Sequence, residues 1–124
     1  MAKLFGEERS RSEILKRVSD IRQLAAAQPF ELQEGSERGT RGVRLYNGAG
    51  LDLNVITDRG MGITNLSWKG VQLSMLTPAG AVHPSFTEQP GLGWLRTWPA
   101  GFLTVCGLSQ VGEPCVDGGE ELSA

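Results

Sequence analysis

Val43-Arg44-Leu45-Tyr46-Asn47-Gly48-Ala49-Gly50-Leu51-Asp52-Leu53-Asn54-Val55-Ile56-Thr57-Asp58-Arg59-Gly60 sets the expectation for the fold. Val43 and Leu45 alternate with Arg44 and Tyr46, and Leu51, Leu53 and Val55 alternate with Asp52, Asn54 and Ile56. That period of two puts one apolar face on each strand. Asn47-Gly48 is a turn dipeptide, and Thr57-Asp58-Arg59-Gly60 turns the chain again. Downstream, Ile63 to Trp68 and Val71 to Leu76 flank Lys69-Gly70, a second tight hairpin. Four short strands at this spacing predict an antiparallel sheet with one buried face. Two more strands are expected around Trp94–Trp98 and Phe102–Cys106, after a loop from Pro78 to Pro90.

Upstream the style changes. Nine of the twelve basic residues lie in the first 44 positions, and sixteen of the seventeen glycines lie from Gly35 onward. A charged, alanine-containing opening before a glycine-punctuated body predicts helix first and strands afterwards. Ile14, Leu15, Val18, Ile21, Leu24 and Ala25 recur at helical spacing, so an amphipathic helix is expected from a Ser12 cap to about Ala27, closed by Pro29. The expected organisation is residues 1–29 as this helix and 30–124 as a β domain. Mixed charges and a lack of aromatics favour docking of the helix on its own domain or on a partner over a membrane surface.

Composition excludes several classes. The chain has 124 residues, 40% hydrophobic and 21% charged, which is globular composition for one domain. A net charge of −2 lacks the broad positive field of nucleic-acid binders. Cys106 and Cys115 as the only cysteines, with His83 as the only histidine, do not supply a structural zinc site. No apolar run is long enough to span a bilayer, and the start turns acidic at Glu7-Glu8 before any signal-like stretch. The expected location is cytoplasmic with reduced thiols, no cofactor, no nucleic-acid partner and no membrane.

Chemistry concentrates in Gly91-Leu92-Gly93-Trp94-Leu95-Arg96-Thr97-Trp98-Pro99. Read as extended, it places Trp94, Arg96 and Trp98 on one face. Indoles can cover the C–H surface of a sugar while a guanidinium holds its oxygens. The competing reading is a tryptophan-rich core with Arg96 stacked for packing. Arg59, in the turn Asp58-Arg59-Gly60-Met61-Gly62, is either a positive group presented at a sheet end or a solvated residue beside an Asp58 that bonds backbone amides. Gly60-x-Gly62 lacks the rest of a dinucleotide fingerprint. His83 before Pro84 has no evident catalytic partner nearby in sequence, Cys106 reads as buried filler, and Cys115 lacks the basic neighbour of a nucleophile. The acidic end from Glu113 to Glu121 reads as a solvated tail or, equally, as a loop whose partner strand is left out of the chain.

Arg41-Gly42-Val43-Arg44, Gly48-Ala49-Gly50-Leu51, Asp58-Arg59-Gly60-Met61-Gly62, Leu92-Gly93-Trp94-Leu95-Arg96-Thr97 and Thr104-Val105-Cys106-Gly107-Leu108, in series, resemble the N-terminal part of a bacterial aldose 1-epimerase-like family of the galactose mutarotase-like superfamily. Gly62 stands where the family phrase has Asp. The resemblance implies a β-supersandwich, an isomerase of carbohydrate metabolism, and a monosaccharide or sugar derivative bound through Arg96, Arg59, Trp94 and Trp98. It also implies that the catalytic histidine and glutamate lie beyond the segment Gly119-Glu120-Glu121-Leu122 and past the chain end. This chain alone is therefore expected to be an inactive fragment with no catalytic residue, in which exposed sheet edges invite self-association. The alternative is a non-enzymatic carbohydrate-binding or assembly module.

Overall fold

The structure is a computed structural model that describes residues 2–4, 7–88, 92–104 and 115–122. The chain opens with a small hairpin of β1 (Ala2–Leu4) and β2 (Glu7–Arg9), followed by α1 (Arg11–Leu15). The expected long helix is not formed. Ser10 rather than Ser12 caps α1: its hydroxyl accepts from the Glu13 N–H at 3.3 Å while Glu13 accepts the Ser10 N–H at 2.7 Å. A second reciprocal cap at Asp20 and Gln23 restarts the chain as a 3-10 turn, Ile21–Gln23. The apolar spacing is thus split between two short turns, and Ile14 is the buried residue of α1.

Residues expected to finish the helix instead form β3 (Ala26–Glu31), paired antiparallel to β4 (Arg41–Tyr46), so the strand crosses the anticipated boundary at residue 29. Pro29 lies opposite Val43 in this edge strand, where a missing N–H is tolerated on the open side. β5 (Leu51–Ile56), β6 (Gly62–Trp68) and β7 (Val71–Gln72) complete an antiparallel five-stranded sheet in the order β3-β4-β5-β6-β7. The turns follow the residues that make them. The Asn47 Oδ1 accepts the N–H groups of Ala49 (2.9 Å) and Leu51 (3.1 Å), and Lys69-Gly70 adopts left-handed φ values of 50° and 83°.

The register sorts the faces. Pairs Val43↔Val55, Leu45↔Leu53, Leu53↔Leu66 and Leu51↔Trp68 gather apolar side chains on one face of the sheet. Leu45 and Trp68 on that face remain exposed, and an open hollow bounded by Ala27, Leu45, Leu51 and Leu53 lies over it. Ile56, opposite Gly42 on the other face, is almost completely buried. Phe30 and the Val55 carbonyl come so near Gly42 that a Cβ there would stand 2.5 and 2.8 Å from them.

β6 contains one extra residue. Asn54 faces Asn65 but Val55 faces Ile63, leaving Thr64 as a bulge. The far edge of β6 is covered in pieces. Leu73 N–H donates to the Leu66 carbonyl (2.8 Å), the Ser74 hydroxyl accepts the Leu66 N–H (2.7 Å), and Ile63 exchanges hydrogen bonds with Leu103. The expected strand Val71–Leu76 is therefore divided. Its second half, β8 (Met75–Leu76), pairs with β9 (Ala100–Gly101) in a separate two-stranded sheet. Of the strand expected at Phe102–Cys106, Leu103 forms an isolated bridge, and Val105 and Cys106 lie outside the described residues.

Trp94–Trp98 is not a strand. Gly93–Thr97 is a 3-10 helix with Gly93 and Thr97 buried. Glu88 packs over Gly93, where a Cβ would come within 2.7 Å of the Glu88 Cβ and 2.9 Å of its carbonyl. The expected loop from Pro78 carries a turn at Pro78-Ala79 and a 3-10 turn, Pro84–Phe86, and buries Ala81 and Val82. The Glu37 carboxylate accepts the Ala81 N–H, and the Ser36 carbonyl accepts the His83 N–H at 2.8 Å. The segment expected as an acidic tail forms a hairpin of β10 (Cys115–Asp117) and β11 (Glu120–Leu122) around Gly118-Gly119. Among the described residues the architecture is mainly β, with antiparallel sheets and one short α-helix.

Candidate functional site

A pocket of about 260 Å³ opens between the β5–β6 turn and the segment that enters β9, with Arg59, Pro84, Thr87, Trp98, Ala100 and Thr104 among its walls. Its construction starts at the turn. Arg59 N–H donates to the Ile56 carbonyl (3.3 Å) and Gly62 N–H to the Arg59 carbonyl (3.2 Å), while Gly60 and Met61 adopt left-handed φ values of 62° and 64°. Asp58 does not cap neighbouring amides as the simpler turn reading expects. Its carboxylate takes the Arg41 backbone N–H at 2.9 Å, the Arg41 Nε at 3.0–3.1 Å and an Arg41 terminal nitrogen at 2.8 Å. That bidentate clasp ties the turn to the start of β4.

With Asp58 drawn toward β4, Arg59 turns into the protein rather than into solvent. Its guanidinium is half-buried and donates to the Val82 carbonyl at 2.9 Å. No carboxylate among the described residues lies within ion-pair distance of it. Burial alone pulls the Arg59 pKa below its ordinary value, the signature of a charge that has lost water without gaining a counter-charge.

Trp98 forms the facing wall. Its indole Nε1–H donates to the Thr104 hydroxyl (3.2 Å), and its ring meets Trp94 edge-on at a centroid distance of 6.0 Å and an angle of 74°. The Thr77 hydroxyl donates to the Trp98 carbonyl at 2.6 Å, fixing the backbone behind the ring. Beyond Pro99, buried Ala100 holds a left-handed φ of 58° and Gly101 a φ of 121°. The backbone there approaches β6 so closely that a Gly101 Cβ would sit 2.4 Å from the Ile63 carbonyl oxygen.

The four residues named for sugar binding are therefore distributed unevenly. Arg59 and Trp98 share the pocket, and Trp94 supports Trp98 from behind. Arg96 does not share a face with the indoles, because a 3-10 helix replaces the period-two strand. It is exposed and ion-paired with Glu88. The hydroxyls of Thr87 and Thr104 in the pocket wall escaped sequence reasoning, since threonine in a loop carries no distinguishing pattern. His83 binds Ser85 through Nδ1 (2.8 Å to the hydroxyl) and lies over Gly39. Cys115 is exposed on β10. Among the described residues no cluster of three or more His, Cys, Asp or Glu could hold a metal ion, and no helix is long and apolar enough to cross a membrane.

The Asp58 clasp gives the turn an acid-sensitive anchor. Hydrogen bonds from Arg41, its charge, and that of nearby His83 hold the Asp58 carboxyl below its ordinary 3.8. A depressed folded-state pKa contributes stability that is complete above the unfolded value and disappears as pH falls through the folded one. Asp58→Asn is accordingly expected to melt below the parent chain at neutral pH, with the gap closing progressively as pH drops below 3.8. Thermal melts across the acid range check this, and a gap independent of pH would assign the loss to packing instead.

Residues 37–124 match a family model described as Domain of unknown function (DUF4432). No curated protein and no solved structure matches the chain.

Proposed function

The chain belongs to the DUF4432 family, and on that footing we propose that it is the sugar-binding N-terminal portion of an aldose 1-epimerase-like protein of a galactose mutarotase-like fold. One observation carries the reading: Arg59 and Trp98, two residues named for sugar contact from the sequence, line the same pocket although 39 positions separate them. At about 260 Å³ the pocket lies just below the ~300–1,000 Å³ of sites for drug-sized ligands and suits a monosaccharide. The Trp98 face covers the apolar side of a pyranose, and the unused N–H groups of Arg59, with the Thr87 and Thr104 hydroxyls, serve its oxygens. Opening the ring requires a general acid and base facing each other across it. In this reading those groups belong to the histidine and glutamate of the complete protein, and this chain supplies binding and orientation.

Trp98→Ala is expected to weaken every bound monosaccharide about tenfold, the loss of one aromatic platform. Titration calorimetry with glucose, galactose and their acidic derivatives reads the effect, and absence of binding by the whole panel would overturn the proposal. Arg96→Ala belongs in the same series, and an unchanged affinity removes Arg96 from the site. A second reading, an assembly module, is favoured by the exposed apolar side chains of Leu73, Met75, Leu76 and Phe102. It predicts a defined oligomer in sedimentation and no sugar binding.

A further inference from the structure

We infer that the pocket selects sugars bearing an anionic substituent, a carboxylate or a phosphate, and that Arg59 is the residue that recognises it. The inference rests on the sugar-binding reading and goes beyond it by assigning a charge to the ligand. Its ground is the charge balance of the pocket wall. Two side chains there are ionised, Asp58 and Arg59. The Asp58 carboxylate is already met by three nitrogens of Arg41, so that pair is self-compensated and offers a ligand little of either sign. Arg59 differs: among the described residues one carbonyl, that of Val82, meets its side chain, and no carboxylate does.

A half-buried guanidinium with a single neutral partner keeps most of its five donors unspent. A partly dehydrated charge is costly without a counter-charge, and a guanidinium fork fits a carboxylate or phosphate with two parallel hydrogen bonds. Neutral hydroxyls would occupy the donors but leave the charge uncompensated. Of the other arginines, Arg9, Arg22, Arg41, Arg44 and Arg96 each hold a carboxylate of this chain, and Arg11, Arg17 and Arg38 stand exposed to water. Arg59 therefore stands out as the guanidinium turned toward a pocket and left for a ligand. The Arg41–Asp58 clasp contributes by spending the neighbouring carboxylate, which would otherwise reach for Arg59 or repel an anion.

Titration calorimetry of the purified chain with glucose, glucuronate, glucose 6-phosphate, acetate and inorganic phosphate tests this at two ionic strengths. At least one acidic sugar is expected to bind about tenfold or more tightly than glucose, as for a hydrogen bond to a charged partner. That margin should shrink with added salt and vanish in Arg59→Gln, which loses donors to glucose as well but loses the acidic sugar by about tenfold more. Arg59→Lys, which keeps the charge and loses the fork, should retain part of it. The stronger of glucuronate and glucose 6-phosphate tells carboxylate from phosphate. Equal affinity for glucose and both acidic sugars would overturn the inference and leave the sugar reading standing. Acetate or phosphate bound as tightly as the acidic sugars, through Arg59, would uphold the anion site and overturn the sugar reading. No binding by any of the five would overturn both. An acidic-sugar preference that survives unchanged in a folded Arg59→Gln would overturn the assignment to Arg59.

Discussion

Gly101→Ala is expected to be among the most destabilising single-methyl additions in this chain. A Cβ there would stand 2.4 Å from the Ile63 carbonyl oxygen and 3.0 Å from the Thr64 Cα, both backbone atoms of β6 that cannot swing aside like a side chain. The residue also holds a φ of 121°, which L-residues rarely adopt. Overpacking and backbone strain each cost about 1–3 kcal/mol, so a loss of about 3 kcal/mol or more is expected, a fall in melting temperature on the order of 10 °C. Gly70→Ala is the matched control: its φ is 83° but nothing lies within 4 Å of a Cβ there. It should lose about 1–2 kcal/mol from conformation alone. Urea unfolding of both variants separates the two costs, and equal losses would show that the close approach contributes nothing. Because Ala100 lines the pocket and Trp98 precedes it by two residues, Gly101→Ala should also weaken the sugar binding proposed for it while unfolding remains below its midpoint.

Ile56→Ala is expected to match that loss by the opposite route, a cavity. Ile56 is 2% exposed at the end of β5, and the other buried apolar residues among those described are few: Ile14, Leu66, Ala81, Val82 and Ala100. Truncating a buried isoleucine costs about 2–5 kcal/mol according to how far its surroundings collapse. Here the neighbours are backbone and ring, with Gly42 paired opposite and Phe30 over it, so little can move in. A loss in the upper half of that range is expected by urea unfolding, against about 1 kcal/mol for Ile56→Val. Equal losses for the two variants would place the whole weight on the Cδ1 methyl, which both remove, rather than on the filled volume of the side chain.

The residues announce the sheet far better than its surroundings. Alternation from Val43 to Ile56, closed by turn residues at Asn47 and Asp58, is local information, and the hydrogen bonds it requires are made between neighbours in sequence. The opening misled because Ile14 to Ala25 keeps helical spacing while two capping pairs, Ser10 with Glu13 and Asp20 with Gln23, interrupt it. Those two pairs ten residues apart were legible as two starts. What no local pattern could supply was the claim of β4 on Ala26–Glu31, which decides the contest through six cross-strand pairs. At the pocket, the residue types of Arg59 and Trp98 suggested their chemistry, but their meeting depends on the Arg41 clasp and on β9 lying against β6, both long-range. Arg96 lies outside this pocket's lining for a local reason: Gly93 packs under Glu88 in a 3-10 turn, and Arg96 pairs with that carboxylate.

The bulge at Thr64 divides β6 into two phases, and that division sets where the chain can change length. Deleting a residue between Thr57 and Met61 shortens a turn and leaves the paired segments in step. Deleting Thr64 would restore unbroken pairing with β5 and keep Ile63 opposite Val55, on the same face as Leu66 opposite Leu53. Deleting Leu66 would instead absorb the bulge and put Asn65 opposite Leu53, an amide on the apolar face. A single codon lost at position 66 should therefore be far more damaging to the sheet than one lost at position 64.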